Sequence, residues 1–194
     1  FEVDVPTGPE GGMEKGETPA ELVSRLSIGK AKEVANRTDG AVVLAADTQV
    51  VLDGERLGKP SDRAAAARML RFLRGRIHIV VTGVTLLDAD SGRSRTSVKK
   101  TDVTMRYYSD AEIEAYVASG EPYDKAGGYA VQDTEFCPAA KVRGCYLNVV
   151  GLPLCDVVSL SESMGVRMRL NPNCEGAHEC GCCRLGAEIG AATL

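Results

Sequence analysis

The chain has 194 residues and a formal net charge of −4, from 23 Lys and Arg residues against 27 Asp and Glu residues. Its 44% hydrophobic content is enough for a core, which excludes a wholly disordered protein. The acidic balance and the 5% aromatic content argue against nucleic acid or an anionic membrane as a partner. No apolar run approaches the ~20 residues of a membrane helix. The N-terminal residues show no signal-peptide pattern, and we expect a cytoplasmic protein.

Capping signals predict where the helices begin. Thr18 and Glu21 form a T-x-x-E capping box, and Ser109 and Glu112 form an S-x-x-E box. Ser61 and Asp62 open another helix, which Gly75 is expected to cap at its C-terminal end. Apolar periodicity places the helices at about residues 19–35, 62–74, 110–119 and 154–164.

Apolar and β-branched runs predict the strands. The continuous run at 41–46 is typical of a strand covered on both faces, as in a mixed or parallel sheet. Asp53-Gly54 indicates a hairpin turn. Further strands are expected at 77–87 and 94–108, with short ones near 129–131 and at residue 141. These elements predict an α/β (mixed α+β) fold, with a mixed twisted sheet and flanking helices.

Cysteine usage divides the chain at about residue 165. The body has Cys137, Cys145 and Cys155, whereas four more cysteines crowd into the last part. Seven cysteines so distributed do not form a secreted disulfide framework, which favours a reducing compartment. Residues 166–194 are expected to be an irregular tail. Its cysteines and His178 could bind Zn²⁺, or the segment could be an unselected extension.

Polar residues next to glycine turns indicate the chemistry. Asp47 directly follows the run 41–46, where a strand end would present it to a ligand or metal, although a loop-capping role is equally open. Lys30 lies on the apolar face of the first helix, where a lysine snorkels, pairs with an acid or meets an anion. Lys59 lies in Gly-Lys-Pro before the second helix, at a helix start that favours phosphate. Acids and lysines together suggest phosphate chemistry assisted by Mg²⁺ or Mn²⁺.

A second glycine-rich segment adds candidates for ligand contact. In Asp124-Lys125-Ala126-Gly127-Gly128-Tyr129-Ala130-Val131-Gln132, the paired glycines let the backbone approach a ligand closely. Gln132 has both a donor and an acceptor for a base edge. Thr48 and Lys125 complete the candidate substrate-binding residues.

Several segments in order resemble the Maf family of nucleoside triphosphate pyrophosphatases: ADT at 46–48, LGKP at 57–60, GRxHxVxTGV at 75–84, DKAGGYAVQ at 124–132 and NVVGLPL at 148–154. The resemblance covers roughly residues 1–165. It implies a Maf/ITPase-like fold with two lobes around a cleft, a homodimer, and hydrolysis of a nucleoside triphosphate to monophosphate and pyrophosphate with a divalent metal. It is also associated with septum formation.

The resemblance also implies roles for particular residues. Asp47 matches the catalytic acid that activates water or holds the metal, and Glu10 is a second candidate metal ligand. Lys30, Lys59 and Gln132 match substrate-binding positions. DKAGGYAVQ resembles the branch that acts on dTTP and UTP, with possible action on modified pyrimidine nucleotides.

Two alternatives stay open at this point. The first is a 7-methyl-GTP pyrophosphatase, and the second is a catalytically impaired, septum-linked nucleotide-binding protein. The second arises because the family's S-x-S-P-R-R segment does not occur in this sequence. That segment forms the first strand of the family's sheet, so we expect a domain at residues 1–165 without it, and low activity.

Overall fold

The computed structural model describes residues 2–5, 7 and 11–167. Glu10 and the cysteine cluster at 174–183 therefore lie outside the described residues, as does nearly all of the expected tail. The described helices are α1 (Pro19–Ala35), α2 (Arg63–Leu73), α3 (Asp110–Ser119), α4 (Tyr146–Val150) and α5 (Leu154–Met164). The described strands are β1 (Val42–Leu52), β2 (Glu55–Leu57), β3 (Ile77–Asp88), β4 (Ser94–Met105) and β5 (Ala139–Arg143).

The strands form one sheet in the order β2-β1-β3-β4-β5, and every described pairing is antiparallel. The fold is the expected mixed α/β arrangement, although no parallel pair occurs in the described part. Strand β1 pairs with β3 from Val42 to Val51 on one side, but with β2 only from Val50 to Leu52 on the other. The outer edge of β1 before Val50 thus has no strand partner among the described residues.

Both faces of the sheet are covered by helices. Helix α1 lies on one face, where the Ser27 and Thr85 hydroxyl oxygens are 2.9 Å apart. On the other face Val80 packs with α2 and α3, and Val84 packs with α5. This two-sided burial is why β3 reads as a nearly continuous β-branched run.

The local signals for caps and turns are confirmed. Both capping boxes form, at Thr18 and at Ser109. Asp53 and Gly54 have φ values of 51° and 81°, which are the left-handed conformations that a two-residue hairpin requires. Asp62 caps α2, while Arg74 is the C-cap and Gly75 follows it at φ 68°. Gly75 is thus one position beyond the observed C-cap, and its expected role as the C-cap is wrong by one residue.

Two sequence-based boundaries and one expected strand are wrong. Strand β1 does not end before Asp47 but continues to Leu52. Strand β4 ends at Met105 rather than at 108, because the Arg106 N–H leaves the ladder and donates to the Pro138 carbonyl. The strand expected at 129–131 does not form, since the Ala130 N–H donates to the Tyr116 hydroxyl instead of to a neighbouring strand.

No helix among the described residues has the length and apolar character needed to cross a bilayer.

Candidate functional site

A cavity of about 560 Å³ opens where the outer edge of β1 lacks a strand partner. Helix α1, the β2–α2 loop, the glycine-rich segment after α3, and α4 form its walls. These elements are far apart in sequence, so the sheet is what brings them together. The cavity is lined by all the sequence-predicted site residues in the described part: Lys30, Asp47, Thr48, Lys59, Lys125 and Gln132.

Asp47 lies midway along β1 with 7% of its surface exposed. Its Oδ1 accepts a hydrogen bond from Lys30 Nζ at 2.7 Å, and its Oδ2 accepts one from Gln49 Nε2 at 2.9 Å. Gln49 is two residues further along the strand and therefore on the same face. The two donors fix the orientation of the carboxylate, and each oxygen keeps a lone pair for a water molecule or a metal.

Lys30 reaches Asp47 because α1 packs tightly on the sheet. Gly83 faces Asp47 across β1 and β3, and a Cβ atom at Gly83 would lie 2.4 Å from the carbonyl oxygen of Val23 in α1. The missing side chain thus permits the close approach. A lysine on the apolar face of a helix was expected to snorkel, to pair with an acid or to meet an anion, and the structure shows Lys30 paired with an acid. Its side chain remains 24% exposed.

The loop with Lys59 is tied to the glycine-rich segment. The N–H of Gly127 donates to the carbonyl of Gly58 at 3.0 Å, which brings Lys59 and Lys125 to the same cavity. At the start of α2, where the sequence predicts a phosphate, a side chain of the protein itself bonds to the helix. The carboxylate of Asp62 accepts from the Ala65 N–H at 2.7 Å, so that amide is already bonded.

The glycine-rich segment forms two short 3₁₀ turns, Glu121–Asp124 and Ala126–Gly128. Gly127 has φ 74°, and a Cβ atom there would lie 3.1 Å from a Val50 methyl group, so the segment lies directly on the sheet. Burial acts to lower the pKa of Lys125, but the carboxylates of Asp124 and Glu121 outweigh it and the pKa is raised. Lys125 therefore remains a cation facing the cavity.

Sequence reasoning missed some residues of the cavity. Gln49 could have been found had β1 been continued past Asp47, because alternation places residues 47 and 49 on one face. Arg56 lines the cavity from the short strand β2, with no sequence signal that distinguishes it. Val149 and Val150 of α4 and its C-cap Gly151 form another wall of the cavity. Helix α4 has only about one turn, and no capping residue in the sequence predicts it.

A divalent cation fits this site only if the substrate shares in holding it. The described residues contain no group of three or more His, Cys, Asp or Glu side chains that could hold a metal. Asp47 and Asp124 both line the cavity. Mg²⁺ is commonly held by one or two carboxylates together with substrate phosphates and water, which is the donor set available here.

Comparison with known proteins gives the family. A family model described as Maf-like protein matches residues 1–164. Relatives named dTTP/UTP pyrophosphatase include one from Dehalococcoides mccartyi (strain CBDB1), 44% identical over 86% of this chain and 75% of the relative. Another, from Dictyoglomus turgidum, is 42% identical over 85% of this chain and 86% of the relative. A third, from Moorella thermoacetica, is 49% identical over 76% of each. With a match across most of its length, and the motif residues of the body gathered at one cavity, the chain belongs to the Maf-like protein family.

Proposed function

We propose that the protein is a nucleoside triphosphate pyrophosphatase that hydrolyses dTTP and UTP to the monophosphate and pyrophosphate. The observation that carries the proposal is the cavity in which the buried Asp47 carboxylate lies with Lys30, Lys59 and Lys125. The charge of Lys30 is balanced by Asp47, so Lys59, Lys125 and Arg56 are the cations of this cavity that would offset the charge of a triphosphate, and the Asp47 carboxylate can accept a proton. The names of the relatives support the choice of substrate.

The reaction needs a base, a water molecule and a stabilised leaving group. Water attacks the α-phosphorus, Asp47 takes the proton of that water, and the bond from the α-phosphorus to the bridging oxygen of the β-phosphate breaks. The products are the nucleoside monophosphate and pyrophosphate. Lys59 and Lys125 counter the charge that develops on the leaving pyrophosphate, and Lys30 holds the carboxylate in place.

The divalent metal is part of the proposal, with Asp47 as the protein ligand and Asp124 as a second carboxylate within the same cavity. A bound Mg²⁺ or Mn²⁺ would neutralise phosphate charge. Full chelation with EDTA should abolish pyrophosphate release from dTTP, and added Mg²⁺ or Mn²⁺ should restore it. Unchanged turnover in the chelated, dialysed protein would contradict metal dependence.

The decisive experiment measures pyrophosphate release from dTTP, UTP, dCTP, dATP and 7-methyl-GTP with the wild-type chain and with Asp47→Asn. We expect dTTP and UTP to be the best substrates, and turnover to fall about 100-fold or more in Asp47→Asn because the general base is lost. Asp102→Asn is the matched control. Asp102 pairs with Arg143 on β4 and β5 and does not line the cavity, so its loss should leave turnover near that of the wild type.

Two results would contradict the proposal. A preference for 7-methyl-GTP would assign the other nucleotide branch. Nucleotide binding without turnover, even with Mn²⁺ and excess enzyme, would indicate an impaired binding protein. The remaining expectations stay predictions: a homodimer, a cytoplasmic location, a link to septum formation and a domain boundary near residue 165.

A further inference from the structure

Gln49 is a buried amide next to the proposed base. It lies two residues beyond Asp47 on β1, and therefore on the same face of the sheet, and it also lines the cavity. Only 8% of its surface is exposed. Its Nε2 donates to Asp47 Oδ2 at 2.9 Å, while Asp47 Oδ1 accepts from Lys30 Nζ. Each oxygen of the carboxylate thus has its own donor.

The contact with Asp47 fixes the orientation of the Gln49 amide. Asp47 is paired with the Lys30 ammonium, and an ionised carboxylate only accepts hydrogen bonds, so the amide atom that faces it is Nε2. Within the described part of the chain no donor bonds to Gln49 Oε1, yet this atom is not sealed from solvent. Because the residue is buried and lines the cavity, Oε1 is an acceptor that is reached from the cavity.

Two acceptors side by side can hold both protons of one water molecule. Oε1 is bonded to the same carbon as Nε2, so it lies beside the carboxylate that Nε2 contacts. A water molecule there donates one proton to Asp47 and the other to Gln49 Oε1. Only its lone pairs then face the substrate, which is the orientation that a nucleophile needs. A side-chain amide orients the attacking water in the same way in other phosphoryl-transfer enzymes.

We propose that Gln49 Oε1 accepts the second proton of the attacking water and so directs its lone pair at the α-phosphorus. This inference rests on the proposed function, in which Asp47 takes the first proton. Gln49 then acts on the water and on the carboxylate, and not on the phosphates. Its loss should slow the chemical step without weakening the binding of the substrate.

Gln49→Met, which is similar in size but has no amide, tests this division. It should lower kcat for dTTP roughly tenfold, as expected for one lost hydrogen bond. The Kd of an α,β-methylene analogue of dTTP should be unchanged, which also shows that the variant is folded.

A second nucleophile separates the orientation of the water from the orientation of Asp47. Methanol has a single hydroxyl proton, which Asp47 takes, so methanol needs no acceptor at Gln49. Its oxygen attacks the α-phosphorus and the bond to the bridging oxygen of the β-phosphate breaks, which gives thymidine 5′-methyl phosphate and pyrophosphate. The measurement is the ratio of this methyl ester to dTMP in a methanol–water mixture.

Gln49→Met should raise the ratio of methyl ester to dTMP roughly tenfold, because only hydrolysis loses the hydrogen bond to Oε1. Asp47→Asn should lower both products and leave the ratio near that of the wild type, since the base takes a proton from either nucleophile. Thr85→Val is the matched control. Thr85 is also a buried polar residue that faces α1, through Ser27, but it does not line the cavity. Its loss should reduce stability without altering the ratio.

Two results would overturn the inference. The first is a ratio in Gln49→Met that does not exceed the wild-type ratio, including the case in which neither protein forms the methyl ester. The second is a weaker Kd for the analogue with kcat unchanged, which would place Gln49 against the substrate rather than the water. In both cases pyrophosphate release from dTTP by the wild type still supports the proposed function. No release by the wild type overturns the proposed function and the inference with it.

Discussion

His78 and Tyr129 form a buried pair between the sheet and the glycine-rich segment. His78 Nε2 is 2.7 Å from the Tyr129 hydroxyl, and the rings meet edge to face with centroids 5.4 Å apart. Burial lowers the pKa of His78 to about 4. The histidine is thus neutral in the folded protein at pH 7, and it anchors through Tyr129 the segment that contains Lys125 and Gln132.

The low pKa of His78 predicts how stability depends on pH. In the unfolded state His78 takes up a proton near pH 6.5, whereas in the folded state it does so only near pH 4. The folded protein is therefore fully stable with respect to this residue above pH 6.5, and it loses free energy of unfolding as the pH falls from 6.5 toward 4. We expect the free energy of unfolding to drop by about 2 kcal/mol between pH 7 and pH 5 from this residue alone. Urea unfolding at the two pH values measures it.

A matched pair of variants assigns this pH dependence. His78→Gln keeps a polar group without the titration and should flatten the dependence between pH 7 and pH 5. His178→Gln changes the second of the chain's two histidines and should leave it unchanged. Glu17 and Glu112, whose pKa values are lowered to about 2 by hydrogen bonds from Arg25 and from Ser109 respectively, act below this range. A flattened response in His178→Gln instead would refute the assignment.

The contact between α1 and the sheet decides whether Lys30 reaches Asp47. The helix approaches β3 at Gly83, where backbone rather than a flexible side chain would meet an added methyl group. The backbone of α1 cannot yield without moving the whole helix, so a substitution there acts on the packing and on the ion pair together.

Gly83→Ala is expected to reduce the free energy of unfolding by about 1–3 kcal/mol or more, because it overpacks the α1–β3 contact. It should also reduce turnover, since Lys30 moves with the helix. Gly29→Ala is the control, because Gly29 is exposed within α1 and has open space around it. It should stabilise by about 1 kcal/mol through helix propensity. Denaturant midpoints measure both, and equal effects of the two variants would be inconsistent with this packing.

At the scale of the whole molecule, the residues that line the cavity are spread along the chain from Lys30 to Gly151. Its ligand would therefore bridge α1, β1, two loops and α4, and binding should stabilise the entire described domain. A saturating α,β-methylene analogue of dTTP at about 100 times its Kd should add about 2.7 kcal/mol, or roughly 5–10 °C in Tm. Thermal unfolding with thymidine at the same concentration is the control, because thymidine lacks the phosphates. An analogue that shifts Tm no more than thymidine would show that the lysines do not bind the triphosphate.

The sequence by itself determined the features that depend on neighbouring residues. The capping boxes at Thr18 and Ser109 and the Asp53-Gly54 turn formed as expected, because each depends on hydrogen bonds or φ angles within about four residues. The inward face of Lys30 follows from helical periodicity alone. The candidate site residues came from polar residues beside glycines together with the family resemblance.

The tertiary structure decided what depends on distant partners. Asp47 lies within β1 rather than after it because β3 pairs with that strand through residue 51. The segment at 129–131 does not form the expected strand because the Ala130 N–H donates to the hydroxyl of Tyr116, 14 residues earlier in the sequence. Helix α4 is held by Asn148, which donates to the Val80 carbonyl and to Thr101 Oγ1. These hydrogen bonds join residues whose separation in sequence gives no signal, so only the folded sheet could bring them together.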